Sequence, residues 1–153
     1  MSDLFTAIRE GNLETAQKIL QENPEQIHAK DHRGSTPFLL ATYYGRAEIT
    51  ELILSKDPAI DAKDGAGNTA LMGVCFKGFN EIAKLLIERG ADVNATNGQG
   101  HSALIFAAMF NQLAIVKLLL ENGADVYHKD AQGMIAYDYA KAKGWQGVVE
   151  LLA

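Results

Sequence analysis

A unit of 33 residues recurs in register almost four times between Asp31 and Ala153. Each copy opens on Asp or Asn with Gly three places on: Asp31–Gly34, Asp64–Gly67, Asn97–Gly100 and Asp130–Gly133. A small-residue and apolar step follows, in Thr36-Pro37-Phe38, Thr69-Ala70-Leu71, Ser102-Ala103-Leu104 and Ile135-Ala136-Tyr137. A helical stripe comes next, read as Ile49-Leu52-Ile53, Ile82-Leu85-Leu86, Val116-Leu119-Leu120 and Val148-Leu151-Leu152. A period of this length marks a stacked array, because no single unit can bury its apolar face without its neighbours. It moves the search for function from an enclosed pocket to a continuous surface.

One copy, residues 64–96, gives the local plan. Asp64-Gly65-Ala66-Gly67-Asn68 is turn chemistry. Thr69 is placed to accept from the first free amides of a short helix over Ala70 to Lys77, which Gly78 stops. Asn80 is expected to cap a second helix, with Ile82, Leu85 and Leu86 at i, i+3, i+4 on its buried face. Glu81, Lys84 and Glu88 lie on another part of that helix, at pairing distance. Gly90 suits the left-handed position past the helix end, and Ala91-Asp92-Val93-Asn94 returns the chain to the next turn. In the preceding copy, Lys56-Asp57-Pro58-Ala59 replaces the Gly-Ala-Asp step, and Pro58 is expected to stop the helix there.

This unit resembles the ankyrin repeat. The resemblance rests on the 33-residue step, on Thr36-Pro37, on Ala41, Ala107 and Ala140 in the first helix, and on Gly90-Ala91-Asp92-Val93-Asn94 and Gly123-Ala124-Asp125-Val126. It implies an all-α solenoid of helix-turn-helix units joined by β-turn or hairpin loops, about five repeats long including caps. The expected division is one domain, 1–153. It comprises a divergent capping repeat over 4–30, full repeats over 31–63, 64–96 and 97–129, and a truncated capping repeat over 130–153. Leu4, Ala7, Gly11, Leu13, Ile19 and Leu20 carry the first of these, with one extra residue around Glu22–Gln26. The family's Thr-Pro-Leu-His is complete nowhere. Leu39, Met72, Ile105 and Asp138 stand in the His place, so the bond that His makes is expected to be missing and the helix starts looser.

Composition narrows the partners. Nineteen acidic against fourteen basic residues give a net charge of -5, which argues against nonspecific attraction to nucleic acid or an anionic membrane. Cys75 is the sole cysteine, so no intramolecular disulfide forms. The opening MSDLFTAIREGNLE is broken early by charge and does not read as a secretory leader. Leu151-Leu152-Ala153 matches no anchor or retention signal. The apolar runs are too short to span a bilayer. A cytoplasmic protein is expected.

Four sets of residues suggest chemistry and fall short of it. Gly65-Ala66-Gly67-Asn68-Thr69-Ala70 and Gly98-Gln99-Gly100-His101-Ser102-Ala103 fit the G-x-G-x-x-A form of a dinucleotide loop. The segments before them, Ile60-Asp61-Ala62-Lys63 and Val93-Asn94-Ala95-Thr96, are too short and polar for the buried strand such a loop needs. Cys75 falls on the packed side of a first helix with no orienting base beside it. His28, His32, His101 and His128 sit in or near turns. They read as solvated, too few and too far apart to hold a metal. The glutamates, among them Glu10, Glu14, Glu48, Glu51, Glu81, Glu88, Glu121 and Glu150, read as solvated helix faces without an acid/base pair.

What remains is a surface. By resemblance, the turn tips and the exposed ends of the first helices line a concave groove that binds partners. The positions carried over are Tyr43 and Tyr44, Phe76 and Lys77, and Met109 and Phe110, with Arg33 and Lys63 among the turns. Tyr, Phe and Met are enriched at protein interfaces. Lys30, Lys129 and Lys143 add positive charge on this side, partly offset by Asp31, Asp64 and Asp130. The alternative is that these aromatics pack between repeats and show only their edges. The function expected is a non-enzymatic, cofactor-free monomer that binds another protein, apolar with an acidic border, and binds no nucleic acid or membrane. The competing readings are an inhibitor that occludes an enzyme's surface, a small-molecule binder or enzyme, and a spacer with no groove partner.

Overall fold

The computed structural model describes residues 3–153; Met1 and Ser2, which open the stretch read above for a leader, lie outside the described residues. Each copy after the first begins with one hydrogen-bonded loop. Asp64 Oδ1 accepts from the amides of Ala66 and Asn68, both at 2.9 Å. Asp31, Asn97 and Asp130 repeat the arrangement on their own second and fourth following amides. One side-chain oxygen thus fixes a whole loop, which is why Asp or Asn heads each of these four copies.

Among the described residues there are ten helices, the last eight of them in pairs after these loops: α1 (Leu4–Glu10), α2 (Leu13–Glu22), α3 (Pro37–Tyr43), α4 (Ala47–Leu54), α5 (Ala70–Lys77), α6 (Asn80–Glu88), α7 (Ala103–Met109), α8 (Leu113–Glu121), α9 (Ala136–Lys143) and α10 (Gln146–Leu152). A 3₁₀ turn over Pro24–His28 takes up the extra length of the first copy. Among the described residues there is no strand, only an isolated antiparallel bridge between Thr96 and Ser102. The odd-numbered helices stack in one continuous row. Behind them α2 packs on α4, α6 on α8 and α8 on α10. The result is the expected all-α repeat solenoid.

The first helices start firmly despite the missing His. Thr36, Thr69 and Ser102 accept from the amides of Leu39, Met72 and Ile105 at 3.2, 3.3 and 3.3 Å, and those three side chains are themselves buried. Apolar packing therefore takes the place of the missing His, and the capped helix starts are not the looser ones expected. Ile135 cannot accept, so Asp138 instead takes the amide of Ile135 on its carboxylate at 2.9 Å. Asn80 does not cap α6: it is the first helical residue, and Phe79 holds the cap position without a side-chain bond.

The buried stripe keeps strict register. Ile49, Ile82, Ile115 and Val148 are buried, as are Ile53, Leu86 and Leu119. The stripe of the third copy is therefore Ile115-Leu118-Leu119, one residue earlier than Val116-Leu119-Leu120. The run of three leucines, Leu118 to Leu120, concealed the shift, and Val116 is buried as well. Leu85, expected in the core, is only half-buried, while Leu86 is sealed. Pro58 does not end α4, which stops earlier at Leu54. Asp57 then takes the left-handed conformation (φ +54°) that Gly90 supplies one copy on.

Candidate functional site

Successive turns are bonded into a ladder. Gly65, Gly98 and Ala131 donate from their amides to the carbonyls of Arg33, Ala66 and Gln99 at 3.2, 3.1 and 3.0 Å. The ladder sets the turn tips in line beside the row of first helices. The side chains that end α3, α5 and α7 stand next to one another as a consequence.

There the aromatic residues gather. Tyr43, Tyr44, Phe76 and Phe110 are each 38–43% exposed. Phe76 stacks on Phe110 with ring centroids 4.7 Å apart and planes 11° from parallel. Tyr43 meets Tyr44 edge-on at 6.0 Å. The Lys77 ammonium lies over the Tyr43 ring, 4.8 Å from its centroid, in a cation–π contact. Phe76 and Phe110 thus pack across repeats, and all four rings still present substantial area to solvent rather than edges alone.

Arg33, Tyr43, Tyr44 and Phe76 share one hollow of about 500 Å³, with Met72, Gly73 and Phe106 in its walls. Lys63 is apart from it and donates to the Thr96 carbonyl at 2.8 Å. Met109 is half-buried and borders a smaller hollow of about 340 Å³ beside His101 and Tyr139. Its carbonyl accepts from Trp145 Nε1 at 3.1 Å. The structure thus brings six of the eight expected residues into one aromatic patch and leaves Lys63 and Met109 beside it.

Two features of the hollow escaped the sequence reading. Arg9 reaches its rim from α1; nothing in the divergent first copy marked it. Gly73 sits inside α5 at the step where the other copies carry Leu40, Phe106 and Tyr139. That contrast is visible once the copies are aligned. A glycine inside a helix costs roughly 0.5–1 kcal/mol relative to alanine.

Two histidines are bonded rather than solvated. His101 Nε2 lies 3.3 Å from Asp130 Oδ2, and His128 Nε2 lies 2.7 Å from the Gly100 carbonyl. Tyr139 donates its hydroxyl to the same Asp130 oxygen. Asp130 is buried, so its carboxylate links two copies and is not free to neutralise groove lysines. Burial works to raise its pKa, but the bonds from Tyr139, Met134 and Gln132 and the nearby His101 outweigh it and hold the carboxyl below its ordinary range. Burial, with Asp130 close by, pushes the Tyr139 hydroxyl up to about 12. The Asp31 carboxyl is likewise held low, against burial, by the Ser35 and Arg33 amides and by His32 and Arg9. Cys75 is sealed in the core, and burial drives its thiol pKa well up, which suppresses the reactive thiolate. No helix among the described residues is long and apolar enough to cross a membrane.

A family model described as ankyrin repeats (3 copies) matches residues 4–97, 57–130 and 76–153. No curated protein matches the chain.

Proposed function

Since the chain belongs to the ankyrin-repeat family, whose members generally mediate protein–protein interactions and are generally not enzymes, we propose that it binds a partner protein along the aromatic ends of α3, α5 and α7. The observation that carries this reading is the run of Tyr43, Tyr44, Phe76 and Phe110 across successive copies, each about two-fifths exposed. Isolated exposed rings are unremarkable, whereas a contiguous apolar patch with a polar rim fits an interface. Arg33, Lys63 and Lys77 border the patch, so the partner is apolar at its centre and acidic at its edge. Met109 extends the contact toward α9. The protein does this as a monomer in the cytoplasm, without a cofactor and without chemistry of its own.

Affinity capture from the native cell with the wild-type protein and with a Phe76→Ser, Phe110→Ser variant tests the reading. The variant should lose a partner that the wild type retains, while its melting curve stays cooperative. Identical sets of captured proteins would sink the proposal and favour a spacer.

A further inference from the structure

We propose that the hollow beside Gly73 is an anchor pocket for one large apolar side chain, of the size of Phe or Leu, carried on an acidic segment of the partner. This rests on the groove reading above and narrows it.

Nothing in the backbone requires glycine at this position. Gly73 lies in the body of α5 and is not among the residues with positive φ. A Cβ built on it would meet only Tyr43 Cδ1, at 3.7 Å, an ordinary contact. The helix therefore gives up stability without a steric or conformational reason. What the glycine does is leave out one side chain between Leu40 and Phe106, the residues at the same step on either side. The space opens into the hollow of about 500 Å³ walled by Tyr43, Met72, Phe76 and Phe106. A concave site of that size, in which an apolar floor meets polar groups such as Thr42, Asn68 and His32, is a usual form of binding pocket.

The rim selects the charge of the occupant. Arg9 and Arg33 border the hollow. Among the described residues the one charged pair in contact is His101–Asp130, so neither guanidinium touches a carboxylate, although Arg9 is near enough to Asp31 to help hold its carboxyl low. Asp31 and Asp64 also face the hollow, but each has one oxygen held by two turn amides. An entering carboxylate finds two guanidiniums with no carboxylate in contact, the donors best shaped to receive it.

The probe is the synthetic peptide acetyl-Glu-Asp-Phe-Asp-Glu-amide, followed by amide NMR on the whole chain. It should shift the Gly73 and Tyr43 amides saturably. Replacing its Phe by Ala, or its acids by Lys, should weaken binding by about tenfold or more, the scale of losing an anchor residue. Gly73→Leu, which fills the hollow, should abolish the shifts, and Gly73→Ala, the safer variant for folding, should weaken them in part without lowering the melting temperature. Arg9→Gln with Arg33→Gln should weaken binding more at low salt than at high salt. Equal binding to wild type and Gly73→Leu, with shifts confined to Phe76 and Phe110, would overturn the pocket and leave the groove reading standing. The absence of any saturable shift would also overturn the pocket, and the capture experiment would then judge the groove alone.

Discussion

The ring of Phe76 lies face to face with that of Phe110, 4.7 Å away, so α5 and α7 are joined at their solvent-facing ends as well as through the core. Stacked pairs contribute about 0.5–1.5 kcal/mol beyond the area they bury. A double-mutant cycle on Phe76→Ala and Phe110→Ala, read by denaturant unfolding, should give a coupling energy in that range. Strict additivity would mean that the stack contributes nothing to the fold.

The turn ladder makes a sharper test. Gly100 and Gly133 have nearly equal left-handed φ, +76° and +78°. A Cβ at Gly100 would come within 2.9 Å of the Ala131 amide nitrogen, whereas at Gly133, with no turn beyond it, nothing lies within 4 Å. Gly133→Ala should cost about 1–2 kcal/mol, the price of the left-handed conformation alone. Gly100→Ala should cost at least about 1 kcal/mol more, because the ladder must shift. Equal losses on chemical unfolding would contradict the observed stacking of turns.

Thr50 is fully buried and its hydroxyl has no hydrogen-bond partner. The same step in the next two copies holds Ala83 and Val116, both buried and apolar. A buried unsatisfied hydroxyl costs about 1–3 kcal/mol. Thr50→Val should therefore stabilise the protein by about 1 kcal/mol, seen as a higher midpoint at unchanged denaturant slope. A loss of stability would show that the hydroxyl has a partner.

Acid should loosen the turns. The carboxyls of Asp31 and Asp130 are held below the ordinary value of 3.8 in the folded chain. Groups lowered on folding contribute stability that is complete above their unfolded pKa and is lost as pH falls through the folded one. Stability should then decline as pH drops below about 4. Asp31→Asn with Asp130→Asn should flatten that decline, since Asn97 shows that an amide oxygen can accept the same two turn bonds. An unchanged acid limb in the double variant would assign the decline to other carboxylates.

The array was legible because its signals repeat. Asp or Asn at each turn and Gly three places on each have a single chemical use, and four copies state it in register. What misled was local. The run Leu118-Leu119-Leu120 offers two helical phases that share Leu119, and the register of Ile115 with Ile49, Ile82 and Val148 selects between them. His101 and His128 sit in turns, but His101 reaches Asp130 of the next copy and His128 folds back on Gly100 at the head of its own, contacts that spacing along the chain does not display. The aromatic residues were recognisable by type and step. The hollow among them depends on Gly73, a residue marked by what it lacks, and on Arg9, which belongs to the copy least like the others.

Dissociation of the captured partner tests the groove most directly. Its rate should be measured for the wild type, for Phe110→Ser, and for Glu81→Lys with Glu88→Lys on α6, whose two glutamates are exposed. Central desolvated residues govern the lifetime of a complex, and losing one commonly costs about 2 kcal/mol or more. Phe110→Ser should therefore speed release by about tenfold or more, while the α6 variant leaves it unchanged. Fast release from the α6 variant, with wild-type release from Phe110→Ser, would move the binding surface to the second helices.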